Sequence, residues 1–245
     1  MQKENSIIIL AAGKGVRMKS EIPKVAIKLG GISLIERVIR TVKKHTFSKI
    51  VVVIGHKKEI VKNCLVDYDD IIFANQKVQN GTGHAVMVTE KYFSKYDGNI
   101  IIIPGDVPLL TIETLVKTIN FHNSEKASAT VLTAVLDDPV HYGRIVRNNN
   151  GSVEKIVEFK DANQEERKIH EINSGIFCFE SKSLFPALSK INSNNVQKEL
   201  YITDTLEILS KESKKISALI VKDSMEVSGI NSHEQLAFLE NYIQQ

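Results

Sequence analysis

Residues 7–24 read IIILAAGKGVRMKSEIPK, and this stretch decides the fold. The unbroken apolar run Ile7 to Ala12 stops at Gly13, and a loop with a second glycine (Gly15), four cations and Pro23 follows. A continuous apolar run without alternation is expected of a strand covered on both faces, as in a parallel sheet flanked by helices. Similar runs recur at 50–54 (IVVVI), 71–74, 100–103 (IIII) and 130–135 (TVLTAV). Between the first two, Leu34, Ile35, Val38, Ile39 and Val42 form one helical stripe, with Ser33 and Glu36 at capping-box spacing. Further helices fit 58–66, a start near Gly83, and 112–122. The alternation predicts an α/β chain: a Rossmann-like, doubly wound, mostly parallel mixed sheet.

After residue 135 the texture changes. Short strands fit 144–147, 153–159 and 172–180, joined by polar turns rich in Asn and Gly. Helices around 181–191 and 204–213, a strand at 216–221 and a last helix capped by Ser232 with Gln235 complete the pattern. No Gly-, Pro- or Ser-rich linker divides the 245 residues, so one domain with a ligand-facing second lobe is expected.

Bulk properties exclude several classes. The 32 basic residues nearly balance 29 acidic ones, leaving +3, too little and too scattered for a nucleic-acid surface. No apolar run is long enough for a membrane span. Cys64 and Cys178 have no ligand spacing, which suits a reducing, cytoplasmic setting, and the seven histidines form no zinc motif.

The opening loop is neither GxGxxG, because Met18 stands where the third glycine belongs, nor a P-loop. Gly13 and Gly15 nevertheless permit close backbone approach to an anion, and Arg17 and Lys24 add fixed positive charge. The loop lies at the carboxyl end of its strand, where parallel α/β sheets bind ligands. The same residues also fit a solvated basic loop.

The order of residues adds more. LAAGKGVRMKSEIPKV, NQKVQNGTGHAV, IIPGDVPLL, DDPVHYGRIVR, IVEFKDA, EINSGIF, YITD and VSGIN follow one another from residue 10 to 231. This series resembles the nucleotidyltransferases that join a sugar 1-phosphate to a nucleoside triphosphate. Within them it is most similar to the bacterial N-acetylglucosamine-1-phosphate uridyltransferases. The resemblance implies the nucleotide-diphospho-sugar transferase fold, with residues 1–135 as nucleotide-binding half, 136–231 as sugar-binding lobe and 232–245 as C-terminal helix. It implies catalytic roles for Arg17 and Lys24, and nucleotide contacts from Leu10, Ala11, Ala12, Gly13, Gln76, Gly81 and Thr82. Sugar contacts would come from Gly105, Gly143, Glu158 and Asn173, and Mg²⁺ ligands from Asp106 and Asn231. His84 reads as a structural helix residue and Asp204 as a helix cap.

The implied reaction joins UTP and N-acetylglucosamine 1-phosphate into UDP-N-acetylglucosamine and pyrophosphate, by a monomer or weak oligomer. The alternatives are a nucleotidyltransferase for another sugar phosphate or nucleotide, and a non-catalytic UDP-sugar sensor. Members of the resembled family usually continue into a left-handed β-helix acetyltransferase. No such domain is expected within these residues.

Overall fold

The computed structural model describes residues 3–243 apart from 14, 16, 17, 19, 140 and 231. The strands are β1 (Asn5–Ala11), β2 (Lys28–Leu29), β3 (Ile32–Ser33), β4 (Ile50–Ile54), β5 (Ile71–Asn75), β6 (Asn99–Pro104), β7 (Ala129–Val135), β8 (Arg144–Arg147), β9 (Val153–Val157), β10 (Glu171–Glu180) and β11 (Ile216–Ile220). The α-helices are α1 (Leu34–Val42), α2 (Lys58–Asn63), α3 (Thr82–Met87), α4 (Ile112–Glu125), α5 (Gln164–Arg167), α6 (Ser181–Leu188), α7 (Asp204–Lys211) and α8 (His233–Tyr242).

Among the described residues, nine strands form one sheet in the order β11-β7-β10-β6-β1-β4-β5, with β8 on β10 and β9 on β8. β1 runs parallel to β4 and β6, β4 to β5, and β11 to β7. β10 is antiparallel to both β6 and β7, which makes the sheet mixed. A strand from late in the chain therefore sits between two strands of the earlier half.

The apolar runs are explained by burial on both faces. Successive strand residues point to opposite sides. Ile7, Ile9 and Ala11 pack with Ile35, Val38, Ile39, Val61, Leu115 and Ile119 from α1, α2 and α4. Ile8 joins Val86, Leu184, Leu188, Leu206 and Leu209 from α3, α6 and α7 on the other face. The expected caps form: Ser33 Oγ accepts from the Glu36 N–H (3.3 Å) and Ser232 Oγ from the Gln235 N–H (3.2 Å).

A third, smaller apolar cluster sits near the site. Met18, Ile27, Leu29, Leu34, Ile230 and Leu239 bring together the opening loop, the β2–β3 hairpin, the start of α1, the segment before residue 231, and α8. The chain leaves β1 toward β4, while β6 lies on the other side of β1. The carboxyl ends of β1 and β6 thus form the topological switch point, where open α/β sheets bind ligands.

Candidate active site

At that switch point the Gly105 N–H donates to Leu10 O at 2.9 Å. A Cβ on Gly105 would lie 3.0 Å from Leu10 O and from Ile35 Cδ1, so the absence of a side chain lets the two strand ends meet. Asp106 follows, and its carboxylate pairs with the ammonium of Lys24. Lys24 opens a 3-10 turn set by Pro23, and both partners are only partly exposed, at 14% and 19%. Gly15 adopts φ +61, and a Cβ there would stand 2.8 Å from Lys24 Cβ. Only glycine meets both demands. Two expected site residues, Arg17 and Asn231, lie outside the described residues. Their neighbours are informative. Met18 is 1% exposed and its N–H donates to Gly15 O, while Ile230 is fully buried and its N–H donates to Asp106 O.

The residues expected to contact the base gather around Gln76, which is 3% exposed just past the end of β5. Its amide Nε2 donates to Gly81 O (3.0 Å) and lies 3.1 Å from His84 Nδ1. His84 therefore orients Gln76, the structural role expected of it. Gly81 has φ +100 and ψ 175. A Cβ there would lie 2.5 Å from Leu200 O. Thr82 does not cap its own helix. Its Oγ1 accepts from the Ile202 N–H at 3.1 Å, and the Gly83 N–H donates to Leu200 O at 2.7 Å.

Residues expected to contact the sugar lie at the start of β8, the end of β9 and within β10. The Asn173 N–H donates to Gly143 O at 2.9 Å. A Cβ on Gly143 would meet Glu158 Oε2 at 3.4 Å. Three of the four expected sugar residues, Gly143, Glu158 and Asn173, are therefore neighbours. A bulge in β10 between Asn173 and Ile176 turns the strand here. In it Gly175 takes φ +78 and its N–H donates to Asn173 Oδ1 at 2.9 Å. Pro104 Cγ would stand 3.1 Å from a Cβ on Gly175, so this bulge abuts the end of β6 beside Gly105 and Asp106. Burial pushes the Glu158 carboxyl above the usual carboxylate range, partly offset by the Thr203 hydroxyl, which donates to Oε1 at 3.2 Å.

The motif YITD marks the segment Leu200–Thr203 in the sequence, but no role for these four residues could be read from it. The segment's backbone holds Gly83 and Thr82, and its Thr203 hydroxyl holds Glu158, so it ties the Gln76 neighbourhood to that of Glu158. Main-chain contacts leave no mark on residue type, so no sequence signal could have found them. Asp204, expected as a cap, is instead the first helical residue of α7 behind Thr203. Burial, then Glu207, push its carboxyl up to about 6.

No cluster of His, Cys, Asp and Glu able to hold a metal ion alone occurs among the described residues. Asp106 offers a single hard oxygen ligand, already matched to a cation, Lys24. That donor chemistry fits Mg²⁺, a hard cation that takes oxygen ligands.

Comparison with known proteins agrees with this geometry. Two solved structures cover nearly the whole chain at 20% identity. A putative glucose-1-phosphate thymidylyltransferase from Bacillus anthracis, in complex with a sucrose, aligns with 98% of this chain and 96% of its own at a TM-score of 0.73. A 4-diphosphocytidyl-2C-methyl-D-erythritol synthase from Anaerococcus prevotii aligns with 99% and 97% at 0.69. These show the fold. The bifunctional protein GlmU of Acetivibrio thermocellus is 50% identical over 230 residues, covering 94% of this chain and 50% of that protein. GlmU of Streptococcus uberis is 46% identical over 237 residues, covering 97% and 51%. The chain thus spans about half the length of these curated relatives. The family model for nucleotidyl transferases matches residues 6–232, from the start of β1 to the cap of α8, and the chain belongs to that family.

Proposed function

We propose that this chain transfers UMP from UTP to N-acetylglucosamine 1-phosphate, releasing pyrophosphate and forming UDP-N-acetylglucosamine. The observation that carries this reading is the Lys24–Asp106 pair at the joined ends of β1 and β6. It lies where the bulge of β10 brings the sugar side against Pro104. A cation and a hard oxygen ligand beside a base pocket and a hydroxyl-binding pocket are the parts this reaction needs.

In this mechanism a phosphate oxygen of the sugar phosphate attacks the α-phosphorus of UTP in line. A new P–O bond forms as the bond to the bridging oxygen of pyrophosphate breaks. The nucleophile is already anionic, so no residue has to remove a proton. Catalysis is positioning and charge neutralisation. Lys24 exchanges its partner Asp106 for a phosphate oxygen of the incoming triphosphate. Arg17 would add a second cation from the same loop. Gln76 presents an amide to the uracil edge, with Gly81 and Thr82 beside it, and Leu10 to Gly13 line the nucleotide. Gly143, Glu158 and Asn173 hold the amino sugar near Gly105. Asp106 and Asn231 would hold Mg²⁺, which when bound neutralises charge on the phosphates.

The test is pyrophosphate release measured over a matrix of nucleotides and sugar 1-phosphates, with and without Mg²⁺. Turnover fastest with UTP and N-acetylglucosamine 1-phosphate supports the reading. Faster turnover with another pair reassigns the substrate. Calorimetric binding of UDP-N-acetylglucosamine without pyrophosphate formation makes the chain a sensor.

A further inference from the structure

The turn Gly55–Lys57 follows β4 and carries none of the expected site residues. It nonetheless touches both described ends of the opening loop. At the near end, the His56 N–H donates to Ala12 O at 3.4 Å. At the far end, the Lys57 ammonium donates to Glu21 O. Only Ile22 and Pro23 separate Glu21 from Lys24, and Pro23 has its φ fixed by its ring.

Two features show that the turn is built for this approach. Gly55 has no room for a side chain: a Cβ would lie 2.7 Å from Gln79 Nε2, 2.9 Å from Gln76 O and 3.0 Å from Ala12 Cβ. Lys57 occupies the left-handed region at φ 48 and ψ 42, unusual for a residue with a long side chain. A non-glycine residue held there at an energetic cost invites a functional explanation. The bulk of Lys57 is exposed, so its ammonium would be free to point at water. It instead returns to a main-chain carbonyl.

We infer that Lys57 is a positioning residue for Lys24: its hydrogen bond to Glu21 O fixes the short Glu21–Lys24 segment, and so sets where the Lys24 ammonium stands relative to the nucleotide phosphates. This rests on the nucleotide reading of the site. Losing the bond lowers the fraction of molecules with Lys24 in place, and apparent nucleotide affinity falls by that fraction. Saturating nucleotide restores the placement, so the loss appears in KM rather than in kcat.

Two measurements on the full chain test this. The first needs no substrate: hydrogen exchange of the peptide spanning residues 21–27. Its 3-10 turn is held by the Ala26 N–H to Pro23 O (2.8 Å) and the Ile27 N–H to Lys24 O (3.1 Å). Lys57→Met and Lys57→Gly are expected to exchange about three- to tenfold faster there, with β1 and β4 peptides unchanged, while Lys57→Arg keeps most of the protection. In the second, Lys57→Met raises KM for UTP about three- to tenfold, leaving kcat within about twofold and KM for the sugar phosphate unchanged. Wild-type exchange rates in Lys57→Met overturn the inference. So does protection retained in Lys57→Gly, because the backbone conformation and not the ammonium would then hold the segment. If the wild-type chain fails to use UTP, the function proposed above fails, and the exchange experiment still decides whether Lys57 orders Lys24.

Discussion

The proposed phosphate side and the proposed sugar side of the site are built by opposite means. On the phosphate side, loops leave parallel strands and approach one another through missing side chains: Gly105 against Leu10 and Gly15 against Lys24. Charge is the working element there, and the Lys24–Asp106 pair is partly open to solvent. On the proposed sugar side, antiparallel strands and a bulge bring neutral main-chain groups and one half-buried carboxyl together. The first arrangement suits neutralising a triphosphate whose charge changes during reaction. The second suits discriminating hydroxyl and amide groups, because a buried acceptor left without its partner is costly. On the proposed function, rate and selectivity are carried by separate scaffolds joined at Pro104 and at Leu200–Thr203.

Substitutions can break or sharpen that contrast. Asp106→Ala is expected to have the largest effect, lowering kcat by about 10²-fold or more, the usual cost of removing one electrostatic element at a reacting centre. Steady-state pyrophosphate release would read it, and near-normal Mg²⁺-dependent turnover would remove charge from the phosphate side.

Gly81→Ala comes next. It drives a methyl group into Leu200 O at 2.5 Å from a backbone conformation open only to glycine. A loss of about 2–3 kcal/mol, or roughly 5–10 °C in melting temperature for a chain of this size, is expected. KM for UTP should rise as the link between base side and sugar side opens. A thermal melt together with UTP titration checks both parts.

Glu158→Gln is smaller and selective. KM for the sugar phosphate should rise about tenfold, the low end of losing a charged hydrogen bond, with KM for UTP unchanged. In the wild type the same KM should rise on acidification at a higher pH than for an ordinary carboxylate, because the raised pKa makes Glu158 accept its proton early. The variant should lose that dependence. A change confined to the UTP KM would mean that the two sides are not separate.

The smallest kinetic effect is expected far from both. His122 in α4 is 1% exposed, with Nδ1 2.9 Å from Thr130 Oγ1 and Nε2 buried without a partner. Burial pushes its pKa down to about 4. The folded state therefore binds fewer protons than the unfolded chain below the ordinary histidine range. The contribution is fully present above about pH 6.5 and is lost as pH falls toward 4, up to about 3 kcal/mol. Asp204 runs the other way. Its raised value of about 6 means stability falls as pH rises from about 4 to 6, by an amount that solvent screening of a half-buried group reduces. Urea midpoints at pH 4.5 and 7.5 should converge in His122→Phe, with kinetics at pH 7.5 unaltered.

The phosphate side was the more legible in the sequence because its parts are local. Strand, glycines, cations and Pro23 fall within residues 7–24, and the polarity break at Gly13 marks the strand end. The sugar side was legible only through an ordered series of motifs, since Gly143, Glu158 and Asn173 by themselves are ordinary strand-end residues. Periodicity found the strands but not their directions. The same apolar pattern serves β10, antiparallel to both neighbours, and β1, parallel to both. The β2–β3 hairpin, two residues per strand, is too short to carry any pattern. Helix 58–66 ends early, at Asn63, with its last residues in turns.

The wedging of β10 between β6 and β7 also bears on how the chain matures. During synthesis residues up to 135 emerge with every strand of the early half present, yet β6 lacks the partner of one edge and β7, which pairs only with β10 and β11, lacks both. The facing edges of β6 and β7 are bonded together only when residues 171–180 arrive, and the far edge of β7 only with β11. A ribosome stalled, or a gene cut, between these points would release a sticky intermediate rather than a smaller working unit.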